Sequence, residues 1–180
     1  PLYQTKGSII QQLALPSYLL HNWKTALEAS SILYKSLPVS IEDNPKKYLT
    51  IRGRWQVVQN KPKIVLDVGH NEQGVHAIIN QLDNESYDHL HIMLGFSAEK
   101  ETERILALFP KDATFYITKS TNERSADPKI IATHIRGEKI NCFLDFKEAF
   151  HTINKAVKKD DFVLICGSVF LVGDILQEFF

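Results

Sequence analysis

Cysteine is scarce here, neither sign of charge is in surplus, and no apolar run is long. The two cysteines, Cys142 and Cys166, lie far apart in apolar, strand-like surroundings. No paired Cys or His spacing that would hold zinc accompanies them, so they are expected to be reduced, buried packing residues of a cytoplasmic protein. Lys plus Arg and Asp plus Glu both number 21. That balance argues against nucleic acid as the main partner, since a duplex calls for a concentrated basic face. No stretch approaches the length needed to span a membrane, and no signal peptide opens the chain. Pro1 cannot be an initiator residue, so the start reads as that of an excised piece.

Several chemical devices are missing too. There is no Gly-x-x-x-x-Gly-Lys-Ser/Thr loop to cradle a triphosphate and no Gly-x-Gly-x-x-Gly dinucleotide turn. A Gly-x-Ser-x-Gly elbow and an HExxH helix are equally absent. Spacing alone therefore leads no further than a nucleotide-sized site in an α/β domain.

What is present is enough to build a core: 180 residues with 44% apolar content allow one domain, or one domain with a leading appendage. The most informative stretch is Ile64-Val65-Leu66-Asp67-Val68-Gly69-His70-Asn71. Its apolar start suits a parallel strand covered on both faces, and Gly69 is where such a strand would turn. Val75, Ile78, Ile79 and Leu82 then follow at helical spacing, with Asn71 as the N-cap.

Residues 1–15 carry little pattern, although Ile9, Ile10, Leu13 and Leu15 could form a short helix or a hairpin. Ser17 to Tyr34 reads as an amphipathic helix whose apolar face holds Leu19, Leu20, Trp23, Ala26, Leu27, Ala29, Ile32 and Leu33, with Asn22 as a polar exception. Pro38 to Pro45 reads as a connector. The compact domain is expected over 50–180, after a segment 1–49.

Beyond residue 50 the chain alternates. Strands are expected at Trp55–Gln59, Ile64–Asp67, Leu90–Leu94, Thr114–Thr118, Asn141–Leu144 and Phe162–Cys166. Helices are expected at Val75–Leu82, Glu99–Phe109, Pro128–Ile135, Lys147–Val157 and Val169–Phe179. The pattern predicts a Rossmann-like α/β fold: a mostly parallel sheet with helices on both faces. Right-handed crossovers would gather the loops at Asp67–Asn71, Gly95–Lys100, Thr118–Arg124 and Gly167-Ser168 on one sheet edge, where open α/β sheets bind ligands.

Each candidate there has two readings. Asp67 either caps the next helix or accepts hydrogen bonds from a ribose diol. His70 is either loop packing or a ligand contact. Arg54 is either solvated surface or a fork of donors for phosphate. Arg124 belongs either to a capping loop or to a binding group, and Asp127-Pro128 looks like the N-cap and first residue of a helix.

Three motifs carry a resemblance: Gly53-Arg54-Trp55-Gln56-Val57-Val58, the Ile64–Asn71 stretch, and Cys166-Gly167-Ser168-Val169-Phe170-Leu171-Val172-Gly173. In this order and spacing they resemble the C-terminal, Mur-ligase-like domain of the folylpolyglutamate synthase/dihydrofolate synthase family. Tyr18 and Asn22-Trp23-Lys24-Thr25-Ala26 are similar to the helix that closes that family's N-terminal domain, which makes 1–49 the end of an ATPase domain plus a linker.

The resemblance implies an ATP- and Mg2+-dependent ligase in which a pteroate or folate carboxylate is phosphorylated and the amino group of L-glutamate attacks the acyl phosphate. The P-loop and metal ligands would lie in the N-terminal domain, a partner this chain lacks, and the piece alone would be inactive. By matching position, Asn22 would approach the adenine, Arg54 the phosphates and Asp67 the ribose, with His70 beside the nucleotide. Arg124, by analogy with an Asn-Pro-Arg loop of related Mur ligases, would bind glutamate; Ser168 joins it as a substrate-side candidate.

Departures from the family pattern are Glu72 for a proline after Asn71, Leu19 for a glutamine before Asn22, and Glu99-Lys100-Glu101 for Asp-Lys-Asp. A peptidoglycan-precursor Mur ligase shares the fold but typically has Glu and Thr where this chain has Gln56 and Asn71, which favours the folate branch. A stand-alone nucleotide- or protein-binding module is the third reading.

Overall fold

A computed structural model describes residues 16–34, 51–98 and 102–180. The expectations for 1–15, for the connector at 38–45 and for Glu99-Lys100-Glu101 lie outside the described residues. The chain divides into two units, Pro1–Arg52 and Gly53–Phe180.

Of the first unit, the described secondary-structure element is helix α1, Ser17–Leu33. Pro16 starts it without a side-chain cap, its carbonyl accepting from the Leu19 and Leu20 amides. The expected apolar face is there by spacing, yet only Leu19 on this helix is buried, and Ile32 and Leu33 are 81% and 78% exposed. Asn22 is also exposed.

The second unit is a six-stranded sheet in the order β1-β2-β6-β3-β4-β5. Its strands are β1 Gln56–Asn60, β2 Lys63–Asp67, β3 Leu90–Leu94, β4 Thr114–Ile117, β5 Lys139–Cys142 and β6 Phe162–Cys166. β1 is antiparallel to β2, as a short connection of Lys61 and Pro62 requires, and every other pairing is parallel. The connecting helices are α2 Glu72–Leu82, α3 Glu103–Leu106, α4 Pro128–Ala132, α5 Phe146–Ala156 and α6 Val169–Phe179.

Side-chain alternation along the strands splits the core into two layers. Val65, Ile92, Leu94, Phe115, Ile117 and Leu164 face α2, α3 and α4. Ile64, Leu66, Met93, Tyr116, Val163 and Ile165 face α5 and α6. Each fully buried aliphatic or aromatic side chain contributes about 1.5–3 kcal/mol, so these two layers outweigh the surface ion pairs. β2, β3 and β6 are buried on both sides, which is why they read as unbroken apolar runs.

Three expectations need correction. The helix after β3 is short: Leu108 and Phe109 bond back only three residues, tightening the chain ahead of Pro110. α4 ends in the same way, with Thr133, His134 and Ile135 bonding to residues 130, 131 and 132. β5 is shifted two residues towards the N-terminus, pairing Lys139 with Thr114 and Cys142 with Ile117. It is an edge strand and mostly exposed, so Phe143 and Leu144, whose apolarity suggested a strand, fall beyond it and Leu144 is 73% exposed.

Edge placement also overturns the expectation for Cys142, which is exposed; Cys166, on central β6, is buried as expected. At the start of β3 the His89 and His91 rings meet edge to face at 4.8 Å.

Candidate functional site

The parallel register aligns Asp67, Cys166, Leu94, Ile117 and Cys142 as the last residues of five neighbouring strands. Residues 67–71, 95–98, 118–124 and 167–168 therefore emerge on one edge. The adjacent strands β2 and β6 send their helices to opposite faces, α2 into one core layer and α6 into the other. Diverging helices at neighbouring strand ends open a crevice, the usual ligand position in such sheets.

One wall of the crevice is built around Asp67, 1% exposed at the end of β2. Its Oδ2 accepts the Trp55 amide at 2.8 Å and its Oδ1 accepts the Gly69 amide at 2.7 Å. Asp67 is thus not the cap of α2; Asn71 is, its Oδ1 accepting the Gly74 amide at 2.8 Å. Asp67 instead closes a tight turn formed by Gly53 to Gln56. Gly53 has φ +72°, and a Cβ there would meet Val68 Cγ1 at 2.8 Å. Trp55 has φ +45°, a left-handed conformation that a bulky residue adopts only under constraint. The constraint comes from its amide bond to Asp67 and from its ring, buried against Phe162 at 6.1 Å. Two more bonds tie the turn: the Val68 amide donates to the Gly53 carbonyl at 2.7 Å, and the Gly53 amide to Gln56 Oε1 at 2.8 Å.

That turn fixes Arg54. Its Nη1 stands 4.0 Å from Asp67 Oδ1, while 40% of its side chain remains exposed. The result is a guanidinium steadied from behind by a buried carboxylate, with donors facing outward, which is chemistry suited to a phosphate. His70 follows at the same strand end, its Nδ1 2.9 Å from the Val68 carbonyl; that bond selects the Nδ1–H tautomer.

The other wall follows β6. Gly167 has φ +100°, and a Cβ there would lie 2.8 Å from the Gly95 carbonyl, so the β3 and β6 loops are in close backbone contact. The Gly167 amide donates to the Gly69 carbonyl at 3.0 Å, joining the two walls. Ser168 is the N-cap of α6, its Oγ accepting the Phe170 amide at 3.2 Å, with its own O–H left to donate. Arg124 comes from the β4 loop and is exposed, its guanidinium carbon 5.7 Å from the centre of the Phe170 ring. The Arg124 carbonyl accepts the Ala98 amide at 2.9 Å, and the Ala126 amide reaches the Phe96 carbonyl at 2.8 Å, so the β3 and β4 loops brace each other.

The second unit thus brings Arg54, Asp67 and His70 to the end of β2, and Ser168 and Arg124 to the start of α6. Asn22 belongs to the first unit. Among the described residues no group of three or more His, Cys, Asp or Glu side chains could hold a metal ion, and no helix is long and apolar enough to cross a membrane. The sequence reading gave no supporting part to three participants: the left-handed turn at Trp55, the turn-closing Gln56, read there only as a mark of the folate branch, and Phe170 beneath Arg124. Only Gly53 hinted at the first, and nothing local marked the others.

Fold and crevice together define a Rossmann-like domain of the Mur ligase C-terminal kind. The chain belongs to the family described as "Mur ligase, glutamate ligase domain", whose profile matches residues 53–169. It is 26% identical over 179 residues to the dihydrofolate synthase/folylpolyglutamate synthase of Buchnera aphidicola, covering 94% of this chain and 42% of that protein. It is 27% identical over 179 residues to the UDP-N-acetylmuramoyl-L-alanyl-D-glutamate--2,6-diaminopimelate ligase of Helicobacter hepaticus, covering 92% of this chain and 37% of that one. The chain therefore spans about two-fifths of the length of these relatives.

Among solved structures, the fold is similar to E. coli FolC in complex with DHPP and ADP, with a TM-score of 0.79, 20% identity, and coverage of 87% of this chain and 38% of that one. It is also similar to the ligand-free bifunctional folylpolyglutamate synthase/dihydrofolate synthase of Yersinia pestis, at a TM-score of 0.77 and 24% identity over 91% of this chain and 40% of that one.

Proposed function

We propose that this chain is the C-terminal part of an ATP-dependent ligase that adds L-glutamate to dihydropteroate or a folate, and that it supplies nucleotide and amino-acid contacts. The observation that carries the reading is the pair of outward-facing arginines at one sheet edge. Arg54 is held by buried Asp67 at the end of β2, and Arg124 lies on Phe170 beside the start of α6. Such a ligase must manage two anions at once, a phosphate and the carboxylate of the incoming amino acid. Two separately mounted guanidinium groups match that need.

ATP, when bound, supplies the phosphoryl group that activates the acceptor carboxylate. Arg54 neutralises phosphate oxygens, where most of the catalytic benefit in phosphoryl transfer arises. Asp67 orients Arg54 through its fixed carboxylate, and its position at the end of β2 is that of the ribose contact. His70 stands beside the nucleotide, and Arg124 with Ser168 receives the amino acid. Magnesium, when bound, would be held by residues outside this domain and would neutralise charge on the phosphates.

The test is ATP-dependent incorporation of labelled L-glutamate into dihydropteroate and into tetrahydrofolate by the full-length protein, with and without Arg54→Ala. Ligation that falls at least a hundredfold in the variant, roughly the effect of losing a charge-stabilising donor, supports the reading. A second reading is favoured by relatives of the other branch at similar identity. In that case the protein would instead join 2,6-diaminopimelate to UDP-N-acetylmuramoyl-L-alanyl-D-glutamate and ignore both pterins.

A further inference from the structure

The loop that carries Arg124 is fastened to helix α6 by one side chain. Asp174 Oδ2 accepts the Thr121 amide at 2.7 Å and its Oδ1 accepts the Thr121 hydroxyl at 2.8 Å, a two-point clasp between residues 53 apart in sequence. Phe170, on which the Arg124 guanidinium rests, lies four residues before Asp174 and so on the same face of α6. One helix face therefore holds both the root of the loop and its arginine.

Inside the loop the path from clasp to arginine is short and stiff. Ser120 and Ser125 hydroxyls meet at 2.6 Å, and Asn122 Oδ1 accepts the Arg124 amide at 3.0 Å. A carboxylate close to a site for anions would repel them. Here both Asp174 oxygens accept from Thr121 donors, which turn the carboxylate towards the loop root and solvate its charge without cancelling it. The cation–π contact with Phe170, 5.7 Å from the guanidinium carbon to the ring centre, restrains the group while its N–H donors can still serve a carboxylate.

We propose that Asp174 is a positioning residue for amino-acid capture: by clasping Thr121 it keeps the Arg124 loop on α6, with the guanidinium over Phe170. This rests on the reading of Arg124 as the contact for the incoming amino acid's carboxylate. A local misplacement of about 1 Å in a substrate-holding group can cost up to about a hundredfold, so loss of the clasp should be visible in glutamate binding.

The experiment measures kcat and the KM values for glutamate and ATP in the full-length enzyme. Arg124→Ala is expected to raise the glutamate KM by about a hundredfold, and Asp174→Ala by about tenfold, with kcat and the ATP KM each within about twofold. Thr121→Val, which removes one of the two bonds, should fall between wild type and Asp174→Ala, and Thr121→Ser, which keeps the hydroxyl, should stay near wild type. Because Asp174 acts through Arg124, the Arg124→Ala/Asp174→Ala double variant should be no worse than Arg124→Ala alone.

If Arg124→Ala raises the glutamate KM and Asp174→Ala does not, or if their effects add, the positioning role is refuted and the reading of Arg124 survives. Parallel losses in kcat and both KM values on Asp174→Ala would mark a general structural role and likewise refute it. An unchanged glutamate KM in Arg124→Ala removes the underlying reading, and the proposal with it.

Discussion

Replacing Asp67 with alanine separates a structural duty from a ligand-binding one. The change strips both acceptors from the buried end of β2, leaving the Trp55 and Gly69 amides without their carboxylate partner. A buried donor deprived of its acceptor costs about 1–3 kcal/mol, and Trp55 would also lose the bond that holds it at positive φ. Allowing for local relaxation, the loss is about 3 kcal/mol, a large share of the roughly 5–15 kcal/mol that stabilises a typical domain.

The assay is urea unfolding of the 180-residue chain followed by the emission of Trp55, in a Trp23→Phe background that leaves it as the sole indole. With an m-value of about 1.5 kcal/mol/M, the midpoint should fall by about 2 M. Arg54→Ala is the internal control. Its 4.0 Å ion pair is substantially exposed on the arginine side, so its removal should cost less than about 0.5 kcal/mol. A midpoint shift under about 0.5 M for Asp67→Ala would refute the turn-holding role and leave Asp67 with a ligand role alone.

The remaining predictions concern the core and the thiols. His91 is buried beside His89 and Tyr116, with Nε2 3.3 Å from Asp161 Oδ2, and burial holds its pKa below the ordinary 6.5, aided by His89 and Lys139 and opposed by Asp161. The unfolded chain therefore takes up this proton first: stability should be full above pH 6.5 and fall below it by up to about 1.4 kcal/mol per pH unit. His91→Gln should flatten that slope in pH-dependent unfolding, and an unchanged slope would exclude His91 as its source. Gly167→Ala, at φ +100° and against the Gly95 carbonyl, should destabilise by about 2 kcal/mol. Gly173→Ala, in α6 with nothing within 4 Å of the new methyl, should stabilise by about 0.5–1 kcal/mol, both read from thermal midpoints. A thiol-specific chromophore should titrate exposed Cys142 in the native chain, and buried Cys166, whose pKa burial and Asp67 push far up, only on unfolding.

The fold was legible where residues are buried on both sides. β3, β6 and α6 fall at the expected bounds, because a central strand needs a continuous apolar run and Ser168 supplies a cap that sequence can announce. Legibility failed at the periphery. β5 is mostly exposed, so its residues Lys139 to Cys142 owe their place to pairing with β4, which has no local signature. Of the candidate site, the placement of Arg54, Asp67, His70, Arg124 and Ser168 about one sheet edge was legible from the strand ends, whereas Asn22 lies on α1 in the other unit. The site was not legible as a mechanism of support, because the bonds that fix it join distant positions: Trp55 to Asp67 over 12 residues and Thr121 to Asp174 over 53.

The same bonds change what two residues say about the branch of the family. Gln56 and Asn71 were read as favouring a folate enzyme over a peptidoglycan-precursor ligase. Gln56 uses its Oε1 to close the Gly53 turn, and a glutamate would offer the same acceptor. Asn71 caps α2 through Oδ1, a task that threonine also performs at helix starts. Both positions are therefore explained by backbone support that either branch needs, and neither side chain's recorded bond discriminates between substrates. Discrimination must come from groups that touch the differing parts of the substrates. On this sheet edge Arg124, exposed and with its guanidinium over Phe170, is the group proposed to meet the amino acid's carboxylate. A guanidinium reads a carboxylate, and glutamate and 2,6-diaminopimelate both present one, so in the proposed role Arg124 would select an amino acid over a neutral amine and would need further contacts to tell these two apart. Exchange of the Thr121–Arg124 loop between enzymes of the two branches should then alter amino-acid affinity without exchanging the acceptor. A transplant that switched pterin for nucleotide-sugar acceptor would show that this loop reads the other substrate.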